Sequence, residues 1–405
     1  MRIISARWVV SVERPPIADG AIALDDDGTV RMLGTRAVLR AEFPEAPEER
    51  AHGVLVPGLV NAHCHLELSA LAEAVPGGNG LCPWVAALMK AADDVPRDRR
   101  RAAAGQAAGA AARLGTAAIG DVGNTLDAAP AIGAAKLGGV LFHELVGSRE
   151  VATGDALADA AREHARAEAD WPTDLGYVRA PHAPYSVGPD LLRRIFAAAA
   201  VEGRATSIHV AEDPDEIALL RDGVGRWAAV LEALGVPPGS RVPGKSPVAY
   251  LADLGAFDPK GAPPLLVHMV HASDEDRRIA RAAGATVVLC PLSNLHIGGR
   301  LADVPALLGD GLPIALGTDS LASSPDLSLW AEMATLAAHF PVVPAARWIE
   351  AATTGGAAAL GLPAHGALVP GKRPGVLDVL VDDLSAPLES LVRDGAPSLR
   401  WVARA

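Results

Sequence analysis

The 405-residue chain is poor in positive charge and in cysteine, and it has no long apolar run. Its 36 Lys and Arg stand against 48 Asp and Glu, a formal net charge of −12. A chain without a positive excess is a poor match for phosphate backbones, which argues against polymeric nucleic acid as a partner. Three cysteines, Cys64, Cys82 and Cys290, are too few for a disulfide framework and point to a reducing, cytoplasmic compartment. No segment offers ~18 uninterrupted apolar residues, so no membrane span is expected. Met1 to Val12, interrupted by Arg7, makes a poor signal peptide.

What is present is apolar and patterned. Half of the residues are hydrophobic and mean hydropathy is +0.22, which excludes a disordered chain and supports a large core. Both ends read as short strands: Arg2 to Val12, Gly20 to Leu24 and Val30 to Leu33 at one end, Val376 to Val381 at the other. Between them, eight apolar runs alternate with alanine-rich helical stretches. The runs are Val54 to Val60, Thr116 to Ile119, Gly139 to Phe142, Leu175 to Arg179, Thr206 to Val210, Leu265 to Val270, Thr286 to Leu289 and Pro313 to Leu316. The helical stretches include Pro83 to Ala112, Pro189 to Ala200, Asp276 to Ala283 and Leu327 to Ala338. Continuous apolar strands separated by helices indicate a parallel sheet covered on its faces. The expected fold is α/β: a (β/α)8 TIM barrel over residues 56–362, with a small β-sandwich built from residues 1–55 and 363–405. An open doubly wound sheet would carry a glycine-rich phosphate turn after its first strand. This chain has Asn61-Ala62-His63-Cys64-His65 there instead.

In a barrel, chemistry sits at the C-terminal ends of the strands. His63 and His65 follow the first run two residues apart, so both imidazoles face one side. His209 closes the fifth run, with Glu212 just beyond it. His268 lies in the sixth run and His271 in the loop after it, which makes His268 the better inward candidate. Asp319 follows the eighth run within Gly317-Thr318-Asp319-Ser320. Each alone reads equally well as a polar strand end or a helix start. Together they deliver three or four imidazoles and a carboxylate to one end of the barrel, a ligand set for Zn2+ or a similar divalent ion.

The constellation resembles the amidohydrolase superfamily of metal-dependent hydrolases. The resemblance rests on Val56-Pro57-Gly58-Leu59-Val60-Asn61-Ala62-His63-Cys64-His65, His209-Val210-Ala211-Glu212, His268-Met269-Val270-His271, Cys290-Pro291-Leu292-Ser293-Asn294 and Gly317-Thr318-Asp319-Ser320. Within it, the chain is most similar to the aromatic deaminase and chlorohydrolase branch. The segments His63 to Ser69 and Ser320 to Pro325, together with Trp84, look like the aminodeoxyfutalosine deaminases of menaquinone synthesis. The resemblance implies His63, His65, His209 and Asp319 as metal ligands, Glu212 as proton shuttle, and His268 orienting the attacking hydroxide. It implies one divalent ion, zinc first and iron or manganese as alternatives. Binuclear members use a carboxylated lysine after a middle strand, where this chain has Glu144 and His182. His182 matches a substrate-contacting histidine, and Asn294 falls in a substrate loop. Glu67, Ser69, Trp84, Glu144, Arg149 and Tyr185 fall near the same strand ends, and ordinary packing is the competing reading for Trp84 and Arg149. Cys64 and Cys290 read as small buried apolar groups.

The implied activity is hydrolytic deamination of an aminated purine-type ring, nucleoside or base, by a metal-activated water, with release of ammonia. The alternatives are another C–N or C–halide hydrolase of the branch (a guanine or cytosine deaminase, a triazine chlorohydrolase, a cyclic amidine or imidazolone hydrolase) and a non-catalytic relative, which would show broken ligand positions. The partners expected are a small aromatic substrate and water. A homodimer is compatible with such barrels, although no stretch marks an interface.

Overall fold

The computed structural model describes residues 1–147, 156–236 and 242–405. Turn residues punctuate the first five strands, β1 (Arg2–Val9), β2 (Ile17–Leu24), β3 (Val30–Thr35), β4 (Glu48–Arg50) and β5 (Val54–Pro57). The parallel series follows: β6 (Leu59–Cys64), β7 (Thr116–Gly123), β8 (Gly138–Leu145), β9 (Leu175–Pro181), β10 (Ser207–Val210), β11 (Leu265–His268), β12 (Val287–Leu289) and β13 (Ile314–Leu316). The last strands are β14 (Val376–Val379) and β15 (Leu399–Ala403).

The two chain ends share one seven-stranded sheet of order β15-β14-β5-β1-β2-β3, with β4 also paired to β1. Val54–Pro57 is expected to open the barrel, but it belongs to this terminal sheet, paired antiparallel with β14. Gly58 is where the chain leaves one sheet for the other. A Cβ there would lie 2.6 Å from Ala117 Cβ and 2.7 Å from the Pro374 carbonyl, so the close approach needs glycine. The stretch Pro83 to Ala112 also divides, into helices Leu81–Asp93 and Arg97–Arg113. Pro96 sits at the break and disfavours helix at the residue before it. The helix Asp274–Ala283 starts as the sequence indicates, on a capping box between Ser273 and Asp276, and stops at left-handed Gly284.

The parallel strands run in chain order as two four-stranded sheets, β6 to β9 and β10 to β13. Backbone hydrogen bonds join both seams: His209 N–H to the His182 carbonyl at 2.9 Å, and Thr318 N–H to the His63 carbonyl at 2.9 Å. One face of these strands forms a single apolar cluster that includes Val60, Ala62, Ala118, Phe142, Val178, Val267, Val288 and Ala315. The opposite face, with Ile119 and Leu141, packs on alanines of the helix Arg97–Arg113. Among the described residues no helix is long and apolar enough to cross a membrane.

Two local features aim the polar strand ends. The β6–β7 register shifts between Asn61 and Cys64. Before the shift the even-numbered Val60 and Ala62 join the inner cluster; after it Cys64 packs outward and His63 and His65 point inward. A bulge of this kind re-aims side chains without ending the strand. At the other seam, a Cβ on Gly317 would lie 2.7 Å from the His63 carbonyl, so glycine lets the end of β13 close onto β6. Asp319 then pairs beside Cys64.

Candidate active site

His63, His65, His209, His268 and Asp319 converge on one point. The His63 ring centroid lies 4.8 Å from His65, 4.9 Å from His209 and 6.0 Å from His268. The nitrogen and oxygen donors of His63, His65 and Asp319 lie within 4.8 Å of one another, as do those of His63, His209 and His268. His63 is fully buried and neither ring nitrogen has a hydrogen-bond partner. A buried imidazole left unpaired on both sides is costly unless another group uses it. His209 Nδ1 donates to the His182 carbonyl at 2.9 Å, which fixes the tautomer and leaves the Nε2 lone pair facing His65 Nε2, 3.2 Å away. Two ring nitrogens so close call for a proton or a cation between them. Burial and the neighbouring imidazoles hold His63 far below its ordinary pKa and His209 at about 3, while burial brings His268 to about 4. Neutral imidazoles are the form a divalent ion requires, and His63 and His209 Nε2 keep lone pairs free for one. The donors therefore fit such an ion.

The carboxylates around this point differ in state. Asp319 is buried, yet the His65 and His268 rings and the Ser293 hydroxyl outweigh burial and hold its pKa below the usual value. Asp319 Oδ2 accepts from Ser293 Oγ at 2.5 Å and from Ser323 Oγ at 3.3 Å, while Oδ1 lies 3.7 Å from His65 Nε2. Glu212 behaves oppositely. Burial, with Asp319, Glu216 and Asp213 nearby, pushes its pKa far up and favours the protonated form. Glu212 Oε2 lies 3.5 Å from His268 Nε2, and His268 Nδ1 accepts from Asn294 Nδ2 at 2.9 Å. His268 and Asp319 hold left-handed backbone, with φ of +78° and +55°, a strain that clusters at functional sites.

A cavity of about 180 Å3 opens onto Glu212 and Asn294, walled by Leu81, Val270, His271 and Ile297. Glu144 and His182 flank His209 on the other side. His182 and His209 rings are 5.0 Å apart, and Glu144 Oε1 lies 3.8 Å from His209 Nδ1, buried without a hydrogen bond. Glu67 is turned away to the 124–125 loop, where Asn124 N–H, Thr125 N–H and the Thr125 hydroxyl donate to its carboxylate. It lines a separate cavity with Arg97, Arg100 and Arg101. Trp84 packs in an apolar cluster with Leu71, Leu88 and Tyr185, and Tyr185 stacks on Trp227 at 4.3 Å. Arg149 lies outside the described residues. All three cysteines are free and buried, and burial raises each thiol pKa.

Ser293, Ser323 and Glu216 are parts of the site that reasoning from sequence passes over. Both serines lie inside motifs quoted above, one residue before Asn294 and four after Asp319. Glu216, one helical turn beyond Glu212, accepts from the Ala211 and Glu212 backbone N–H groups, both at 3.0 Å.

The model of the amidohydrolase family matches residues 54–396. The aminodeoxyfutalosine deaminase of Deinococcus radiodurans is 34% identical over 347 residues, 82% of this chain and 79% of that protein. The 5-methylthioadenosine/S-adenosylhomocysteine deaminase of Nitratidesulfovibrio vulgaris is 30% identical over 404 residues, 95% of this chain and 84% of that one. Among solved structures, the Helicobacter pylori aminofutalosine deaminase in complex with methylthio-coformycin superposes with a TM-score of 0.86 at 22% identity, covering 97% of this chain and 95% of that one. That likeness gives a TIM-barrel fold of mixed α/β content, and with the family match over most of its length the chain belongs to the amidohydrolase family.

Proposed function

We propose that this chain is a hydrolytic deaminase of an adenosine-type ring amine. Aminodeoxyfutalosine is the first substrate to test and menaquinone synthesis the corresponding pathway. The observation that carries the reading is the place of Glu212, whose buried carboxyl lies 3.5 Å from His268 Nε2 and whose pKa burial raises. The curated relatives named above are deaminases of adenosine-like compounds, which supports the same substrate class.

Members of this family bind a divalent metal ion, and His63, His65, His209 and Asp319 would hold one such ion, zinc by the match of imidazole and carboxylate donors. A bound divalent ion would lower the pKa of water to about 7. Asp319, held ionised, accepts the proton of the attacking water. The water oxygen bonds to the ring carbon that bears the amino group. Attack breaks the ring's delocalisation unless the adjacent ring nitrogen gains a proton, and Glu212, whose raised pKa favours the protonated form, is the carboxyl placed to supply it. Positioned proton transfer of this kind is worth ~10²–10⁴-fold. His268, with Nδ1 engaged by Asn294, offers its Nε2–H to the tetrahedral carbon's oxygen. The exocyclic C–N bond then breaks as the amino group takes the proton held by Asp319, the new hydroxyl returns its proton to Glu212, and ammonia leaves behind a ring carbonyl. Asn294 borders the 180 Å3 cavity, which suits a flat base between Leu81, Val270 and Ile297. Glu144 and His182 face the sugar side in this reading.

The wider assignments are ours as well. The two parallel sheets, bonded at both seams, are read as one closed (β/α)8 barrel over 56–362. The shared terminal sheet is read as the small β-sandwich of 1–55 and 363–405. Three buried free thiols suit the cytoplasm.

The test is metal analysis of purified protein with an ammonia-release assay over aminodeoxyfutalosine, 5-methylthioadenosine, adenosine, guanine and cytosine. Ammonia from an adenosine-type amine, lost by ~10²-fold or more in Glu212→Gln at unchanged metal content, is the expected result. Metal-loaded protein that releases no ammonia from any ring amine overturns the function.

A further inference from the structure

We infer that Glu216 is a positioning residue for Glu212: its two carboxyl oxygens clamp the backbone that turns Glu212 toward His268. The inference rests on the deaminase reading above.

The helix Pro214–Asp222 begins at Asp213, whose side chain accepts from Asp215 N–H. Glu216 stands at the third helical position. In an ordinary capping box a glutamate there reaches back to the N-cap backbone N–H. Glu216 goes further. One carboxylate oxygen accepts from Ala211 N–H and the other from Glu212 N–H, each at 3.0 Å. Both donors precede the helix, so the clamp adds nothing to its cap. It fixes the turn between β10, which carries His209, and the side chain of Glu212.

That turn needs fixing. Ala211 has a left-handed φ of +53°, a conformation that persists in alanine only where the surroundings over-determine it. Released, the turn relaxes toward ordinary dihedrals and swings Glu212 away from His268 Nε2. Glu216 is itself fully buried, and no other side-chain hydrogen bond to these two N–H groups is present among the described residues.

Glu216→Gln keeps the shape and loses one of the two acceptors; Glu216→Ala loses both. In metal-loaded enzyme we expect kcat to fall roughly 10-fold and roughly 100-fold respectively, since a misplacement of 1 Å costs on that order. KM should stay within about twofold, and metal content should not change. Amide hydrogen exchange at Ala211 and Glu212 should quicken in both variants. If Glu216→Ala does not fold, Glu216→Gln decides alone. A Glu216→Gln enzyme with parental kcat, or one whose loss is matched by a rise in KM or by loss of metal, overturns the inference. Should Glu212→Gln collapse turnover while Glu216→Gln does not, this inference fails and the deaminase reading stands. Should the parent release no ammonia, that reading fails, and exchange at the two amides decides the clamp.

Discussion

The Ser293 hydroxyl donates to Asp319 Oδ2 at 2.5 Å, and this bond decides which carboxylate oxygen meets the histidines. With Oδ2 held by Ser293 and Ser323, only Oδ1 faces His65 Nε2, 3.7 Å away. The helix Pro291–Gly298 thus orients Asp319 through Ser293 and His268 through the next residue, Asn294.

Ser293→Ala should therefore weaken binding of a divalent metal ion by roughly 10-fold, the lower end of the range for a partner of a ligating group. The substitution removes one oxygen from a buried site, so fold and volume change little. Chelator competition on the purified protein reads the affinity directly. Unchanged affinity would show that Asp319 is oriented without this serine.

Asn294 makes a second prediction, about the His268 tautomer. Its Nδ2 can only donate, so His268 Nδ1 accepts and Nε2 carries the hydrogen toward Glu212. Asn294→Asp replaces the donor by an acceptor, which favours hydrogen on Nδ1 and strips it from Nε2. Turnover should fall in the order parent, Asn294→Ala, Asn294→Asp, with the aspartate variant lower by ~10²-fold or more. An aspartate variant faster than the alanine variant would contradict the tautomer.

The parallel strands and the histidine cluster are legible in sequence because each depends on one strong local signal. Apolar runs punctuated by turns mark β6 to β13, and His or Asp at a run's end marks the mouth. What escapes is set by long-range contacts. Val54 to Val60 is a continuous apolar run, and only the distant partners of its two halves, β14 for Val54–Pro57 and β7 from Leu59 on, divide it between two sheets. The bulge that turns His63 and His65 inward comes from pairing with β7, which no local pattern records. Ser293 and Glu216 look like any polar residue near a helix start until Asp319 and Ala211 are placed against them. Glu67, two residues after His65, and Trp84 are both expected near the strand ends, yet their side chains turn to the 124–125 loop and to an apolar cluster.

Trp84 supplies a third prediction. It is 7% exposed and surrounded by aliphatic and aromatic side chains, so its main effect should be on stability. Trp84→Ala should cost ~3–5 kcal/mol of folding free energy, and Trp84→Phe less. Both should leave KM within about twofold, as read by thermal unfolding beside steady-state kinetics. A Phe variant with unchanged Tm and a KM raised 10-fold would instead make Trp84 a base-stacking group.

His182 supplies the last, through pH. Burial, then the His65 and His268 rings, lowers its pKa from 6.5 to about 4, so the folded chain holds it neutral where the unfolded chain protonates it. Its Nδ1 pairs with Ser186 Oγ at 2.5 Å, which suits the neutral ring. Between pH 6.5 and 4 the unfolded state binds the extra proton. Stability from this group is thus full above 6.5, falls as pH drops toward 4, and levels off below. The whole loss is on the order of 3 kcal/mol, set by the span between those two values. Other buried groups titrate in the same window, so the parent must be compared with His182→Gln, which keeps them. In urea unfolding of chelator-treated protein, the parent should lose stability relative to His182→Gln as pH falls from 6.5 to 4. A gap that does not change with pH would mean that His182 titrates alike in both states. A gap that widens in the parent's favour on acidification would mean that His182 is charged in the fold and paired with a carboxylate.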